Sequence, residues 1–126
     1  MANLIAQFNI TDEETNTPYR SESMTINRGA TSIEQTITTS TAQASLVFPS
    51  AMTSGDGAGT MMIANLDTTA DNHIKWGFED GDLHFLLDPS GTGQSWSLVR
   101  LESTQTTLYF QATNNAPRLY VKVWEK

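Results

Sequence analysis

The chain has 126 residues, no cysteine and a formal net charge of −7, with seven Lys plus Arg set against fourteen Asp plus Glu. That length is enough for one domain and too little for two of ordinary size, and the negative charge repels nucleic-acid phosphates and argues against DNA or RNA as a partner. Without cysteine, disulfides and thiolate metal sites are excluded, so stability must come from packing or assembly.

Ser and Thr supply roughly a quarter of the residues. Thr suits the exposed faces of strands and Ser suits turns, so the balance predicts an all-β protein with wet outer surfaces. The stretch from Met1 to Gln7 lacks the basic and apolar regions of a leader, and no run approaches the length that crosses a membrane. The expectation is a protein with no membrane partner, made and kept in a cytoplasm or assembled there into something larger.

In chain order, Leu4, Ala6, Phe8 and Ile10 alternate with Ile5, Gln7, Asn9 and Thr11, the spacing of a half-buried strand that ends at an acidic turn from Asp12 to Thr17. Pro18 opens a second extended run to Asn27, with Met24 and Ile26 inward, and Arg28-Gly29 turns the chain. Ile33, Gln35 and Ile37 share one face of a third strand, while Thr36, Thr38 and Thr39 can stay wet. Leu46 to Phe48 is a short apolar run stopped by Pro49. Residues 50–59 contain three glycines and no anchoring bulk, which predicts a long mobile loop of the kind that is more often functional or interfacial than structural.

Thr60 to Leu66 reads as a strand and Asp67 to Asn72 as a polar connection. Ile74, Trp76 and Phe78 then share a face, and Leu83, Phe85 and Leu87 continue the pattern beyond Asp80-Gly81, a favoured two-residue hairpin dipeptide whose central positions both call for a positive φ. A hairpin centred there pairs Phe78 with Leu83, Trp76 with Phe85 and Ile74 with Leu87, and sets His73 opposite Asp88 and His84 opposite Gly77. Beyond the turn at 89–93, Trp96, Leu98 and Arg100 oppose Ser97, Val99 and Leu101. Leu108, Phe110 and Ala112 likewise oppose Thr107, Tyr109 and Gln111, and Leu119, Val121 and Val123 oppose Tyr120, Lys122 and Trp124. No segment sustains a helical period. Short strands with turn signals at this spacing predict a single antiparallel β-sandwich or jelly roll of about 8 to 10 strands over residues 1–126.

Catalytic chemistry is harder to find. His73 and Asp88 could orient a base, but no cysteine exists and no serine sits in a nucleophile elbow, so a polar cross-strand contact is the simpler reading. The glycine-rich segments 55–59 and 91–93 lack the Lys-Ser/Thr and the following helix of a phosphate cradle. Asp80, Asp82 and Asp88 could offer oxygen to a weak calcium site, but not at the spacing of a known calcium loop. Paired carboxylates for a glycosidase are not marked by burial. Neither a cofactor nor an enzyme is therefore expected. Alternation places Trp76 and Trp96 in the core and leaves Trp124 and Tyr120 as an aromatic pair on the opposite face of the last strand, a candidate exposed patch or sugar platform.

The segments Trp96-Ser97-Leu98-Val99-Arg100-Leu101, Thr107 to Ala112 and Leu119 to Glu125, with the Ile74 to Leu87 hairpin and its Pro-Ser-Gly turn, resemble the closing strands of small β-sandwich virion proteins of tailed bacteriophages. The resemblance covers about half of the chain and carries no catalytic motif. It implies a non-enzymatic virion component, a decoration or cement protein on the capsid, or else a tail or neck accessory. Its expected partners are other copies of itself, with a trimer as the expected state, and the major capsid protein or other virion proteins. Leu4, Phe8, Met52, Tyr120 and Trp124 are the expected interface residues, and a carbohydrate-binding module is the competing expectation.

Overall fold

The computed structural model describes residues 3–126 apart from 16 and 54, and leaves aside the side chains of residues 10, 12, 17–22, 27 and 51. The inward setting expected of Ile10 therefore lies outside the described residues. Strands β1 (Asn3–Asp12) and β2 (Thr17–Asn27) form a hairpin that pairs with no other strand. They are followed by β3 (Ser32–Thr38), β4 (Ala44–Val47), a single helical turn α1 (Ser50–Thr53), β5 (Ala58–Asn65), β6 (Ile74–Gly77), β7 (Phe85–Leu87), β8 (Trp96–Arg100), β9 (Thr107–Ala112) and β10 (Arg118–Glu125).

The last eight strands make two four-stranded antiparallel sheets, in the orders β3-β10-β5-β8 and β4-β9-β6-β7. Consecutive strands switch sheets except at the β6–β7 hairpin, and this interleaved order is a jelly roll, a double-sheet architecture built from two Greek keys. The all-β sandwich expected from the alternation is thus what the chain forms.

The core lies between the two sheets and is supplied by every second residue of the central strands. Met61, Ile63, Leu119, Val121 and Val123 from one sheet face Ile74, Trp76, Leu87, Leu108 and Phe110 from the other, and all are buried. Asn65 ties the sheets together at one end. Its amide donates to the Asn72 carbonyl at 2.8 Å and the Leu87 carbonyl at 3.4 Å, and its side-chain oxygen accepts from the Asp67 amide at 3.0 Å. A buried amide with its groups satisfied in this way fixes the strand ends rather than weakening the core.

The β6–β7 hairpin keeps the register read from the sequence, pairing Ile74 with Leu87 and Trp76 with Phe85. Glu79 and Asp82 bridge across the tip, but the Phe78–Leu83 rung is missing from the ladder. The reason is local: a Cβ on Gly77 would come within 2.7 Å of the Asp82 carbonyl oxygen, so the returning strand folds over Gly77 before regular pairing resumes. Only Gly81 of the two central turn residues has a positive φ, at 76°, which corrects the expectation that Asp80 shares it. Gln43 clamps the tip, donating to Asp80 at 2.5 Å and accepting from the Gly81 amide at 3.1 Å. Gly81→Val is expected to cost about 1 to 3 kcal/mol in denaturant melts through backbone strain alone, since space at that position is open. Gly81→Asn, which tolerates a left-handed backbone, should cost distinctly less. Equal losses in the two variants would mean that strain is not the cause.

The segment 50–59 differs most from expectation. The amides of Met52 and Thr53 each donate to the Pro49 carbonyl at 3.0 Å, closing one helical turn, and Met52 is fully buried in the core. Gly57, at φ 84°, lies so close to Ser103 that a Cβ there would approach the serine Cβ to 2.6 Å, and Ala58 and Gly59 already belong to β5. Among the described residues of the expected mobile loop, Met52, Gly57, Ala58 and Gly59 are buried and form a packed plug while Gly55 and Asp56 stay exposed, and Met52 is a core residue rather than an interface residue.

Candidate functional site

The outer face of the β3-β10-β5-β8 sheet is where the sequence leaves large side chains without a second sheet to cover them. Register sets Trp96, Ala64, Tyr120 and Thr36 in one row across the four strands. Leu98, Met62, Lys122 and Glu34 form the next row, and Arg100, Thr60, Trp124 and Ser32 the third. In a two-layer sandwich such a face is normally polar. Here it carries Met62, Leu98 and two tryptophans.

The β1–β2 hairpin lies over this face. Its register places Leu4 opposite Ile26 and Ala6 opposite Met24, so that Leu4, Ala6, Phe8, Met24 and Ile26 share one apolar side, as the alternation predicted. Leu4, Ala6 and Phe8 are half-buried, whereas Ile5 on the opposite side is exposed. Between hairpin and sheet runs an open cleft of about 940 Å³, walled on one side by these residues and on the other by Met62, Leu98, Trp96 and Trp124.

Three of the expected interface residues, Leu4, Phe8 and Trp124, therefore line the cleft. Tyr120 lies on the same sheet face but outside the lining, because its hydroxyl donates to Glu34 at 3.0 Å. Trp96 was expected in the core and is instead 53% exposed in the cleft. Alternation misplaces it because Trp96 and Leu98 on the outer side are as apolar as Val99 and Leu101 on the inner side. The clue that was available is the apolar face of the first two strands, which needs a surface to cover.

Charged groups sit at the β3–β10 side of the face. Lys122 Nζ is 3.3 Å from Glu34 and 5.7 Å from the centre of the Trp124 ring, a pairing that draws the ammonium across the indole. The Tyr120 hydrogen bond, followed by the hydrogen bond and positive charge of Lys122, holds the Glu34 carboxyl below its ordinary value of 4.5. Burial, followed by the bond to Glu34 and its negative charge, raises the Tyr120 hydroxyl above its ordinary value of 10.0. A carboxyl depressed on folding adds stability above its unfolded pKa and loses it as the pH falls through the folded value. Tyr120→Phe is accordingly expected to move the Glu34 carboxyl resonance upward in an NMR pH titration and to flatten the acid limb of the stability curve. An unmoved Glu34 titration would show that the hydroxyl is not its partner in solution.

The acidic turns do not converge. Asp80 is engaged by Gln43, Asp82 by His84 at 2.6 Å, and Asp88 by His73 at 3.1 Å and the Gln94 amide at 2.9 Å. Among the described residues no three His, Asp or Glu side chains gather to hold a metal ion, so Asp80, Asp82 and Asp88 do not make a shared calcium site. His73 and Asp88 meet across the hairpin as expected from its register, as a cross-strand polar contact.

No family model matches the chain, and no curated protein matches it. Among solved structures, the carbohydrate-binding module CBM6cm-2 from Cellvibrio mixtus lichenase 5A, in complex with cellotriose, is similar to 97% of this chain and 87% of that one at 11% sequence identity, with a TM-score of 0.34.

Proposed function

We propose that the chain is a non-enzymatic structural subunit of a tailed-phage virion, a decoration or cement protein that works as a homo-oligomer against the major capsid protein or a neighbouring virion component. One observation carries this reading: a complete jelly roll bears an extra amino-terminal hairpin whose apolar side stands off an apolar sheet face. Among the described residues the core is drawn from beyond the hairpin. A long appended element that a domain does not need for its own core is well suited to holding copies together. The sequence resemblance to small virion sandwiches supplies the phage setting. Virions banded on a gradient and resolved by quantitative mass spectrometry test it. Hundreds of copies per particle would support a capsid position, a dozen or fewer would move the protein to the tail or neck, and absence from the particle would remove the reading.

A second reading, a carbohydrate-binding module, draws on the indole faces of Trp96 and Trp124 in the same cleft, since sugars stack on exposed aromatic rings. Against it stands the share of the wall made by Leu4, Ala6, Ile26, Met62 and Leu98, which offer no hydrogen bonds to hydroxyl groups, although Gln7, Asn9, Gln94 and Ser97 also line the cleft. A glycan array that binds the native protein and not its Trp96→Ala variant would favour this reading over assembly.

A further inference from the structure

We infer that the β1–β2 hairpin is an exchange arm. In the assembled protein the hairpin of one copy seats its apolar side on the outer sheet face of a second copy, over Met62, Leu98, Trp96 and Trp124. The inference deepens the assembly half of the proposed function and rests on it for the existence of an oligomer.

The first reason is packing. The cleft of about 940 Å³ is open to solvent and leaves two largely apolar surfaces unpaired, with Trp96 half-exposed between them. Apolar residues predominate in its lining beside Gln7, Asn9, Gln94 and Ser97, so a closer-fitting apolar occupant would take that surface out of water. The second reason is the hairpin itself. Its strands of 10 and 11 residues pair only with each other, and a two-stranded hairpin is at best marginally stable in water unless a further surface supports it.

The third reason is the tether at the base of the hairpin. The Gly29 amide donates to the Glu125 carbonyl at 2.9 Å, and a Cβ on Gly29 would run into the Glu125 carboxyl and the Lys126 backbone. The chain is therefore pinned to the end of β10 two residues after the hairpin ends at Asn27. Next to this pin, Arg28 Nε is buried with no acceptor among the described residues, and Nη1 donates to the Gly29 carbonyl at 3.3 Å. A buried guanidinium donor left unpaired is costly where it sits. The base of the arm thus combines a fixed point at Gly29 with an unsatisfied donor at Arg28, and the apolar side of the arm matches the sheet face found on every other copy. Copies related by a two-fold axis would exchange arms reciprocally, and copies around a three-fold axis would pass them in a ring.

The absence of native cysteine makes the test direct. Ala6→Cys and Leu98→Cys, which face the cleft from opposite walls, are made as separate single variants, mixed at the concentration where light scattering shows the oligomer, and oxidised. Exchange predicts disulfide-linked heterodimers several-fold above those from Ala6→Cys mixed with Ser90→Cys, which lies on an exposed turn outside the cleft. Phe8→Glu should reduce the scattering mass to that of one chain while leaving the thermal transition of the sandwich in place, because among the described residues none of the core belongs to the hairpin. A monomeric native protein would overturn the inference. So would an Ala6→Cys/Leu98→Cys double variant that closes only within one chain at assembly concentration. These outcomes separate from the virion reading: arms that exchange in a protein missing from virions leave the inference standing, and a virion protein whose arms stay at home removes the inference alone.

Discussion

Trp76→Ala is expected to lower the unfolding free energy by about 3 to 5 kcal/mol, the range for emptying a large aromatic site in a core that cannot fully collapse. The ring is only 2% exposed, stacks on Phe85 with centroids 4.5 Å apart, and meets Phe78 edge-on at 5.7 Å. Its place at the centre of the β9-β6-β7 pairing, with Phe110 on one side and Phe85 on the other, means that the cavity would be walled by strands hydrogen-bonded in fixed register. Relaxation is therefore limited. The indole N–H has no acceptor among the described residues, which offsets part of the gain from burying the ring. Trp76→Phe should accordingly cost much less than Trp76→Ala, because it removes the unpaired donor and keeps most of the aromatic contact. Urea melts of both variants check the order, and a loss below about 1 kcal/mol for Trp76→Ala would contradict tight packing at this site. In a Trp96→Phe/Trp124→Phe background, the remaining Trp76 emission should lie well to the blue of indole in water.

The same hairpin shows what kind of information the sequence carried. Ile74, Trp76, Phe85 and Leu87 fall into register because turn chemistry at Asp80-Gly81 and period-two hydrophobicity agree, and a slip of one residue would turn every one of them to the other face. Phe85 shows the limit of that reading: it shares the inward face yet is 51% exposed, because β7 is an edge strand with no neighbour beyond it. Trp96 fails for a different reason. Alternation separates inside from outside only when one face is wet, and the appended hairpin turns the outer face of β8 into a second apolar surface. The candidate site was thus half legible, with Leu4, Phe8 and Trp124 found and Trp96 assigned to the wrong layer. Met52 was misjudged because composition averages over a segment. Glycine and serine around it set the impression of a mobile loop, whereas one methionine side chain decides where the segment goes.

That correction reverses the expected effect of cutting the segment. A mobile loop at 50–59 could lose residues 53–58 with the fold intact, but the structure predicts that this deletion abolishes cooperative folding. The segment carries the chain from β4 in one sheet to β5 in the other, so its length sets whether the two can reach their places. Its removal takes Ala58 out of the core and deletes Gly57, whose amide donates to the Met52 carbonyl at 3.2 Å and whose carbonyl accepts from the Lys126 amide at 2.8 Å. Joining Met52 directly to Gly59 would pull the methionine out of a fully buried site or drag β5 out of register with β10 and β8. Withdrawing a buried methionine alone costs about 2 to 5 kcal/mol, a large share of the roughly 5 to 15 kcal/mol that holds a domain of this size together. A register shift would turn Met61 and Ile63 to the outer face as well. Loss of dispersed amide resonances and of a sigmoidal thermal transition is the expected result. A deletion variant that melts cooperatively within a few degrees of the native protein would show that the plug is dispensable.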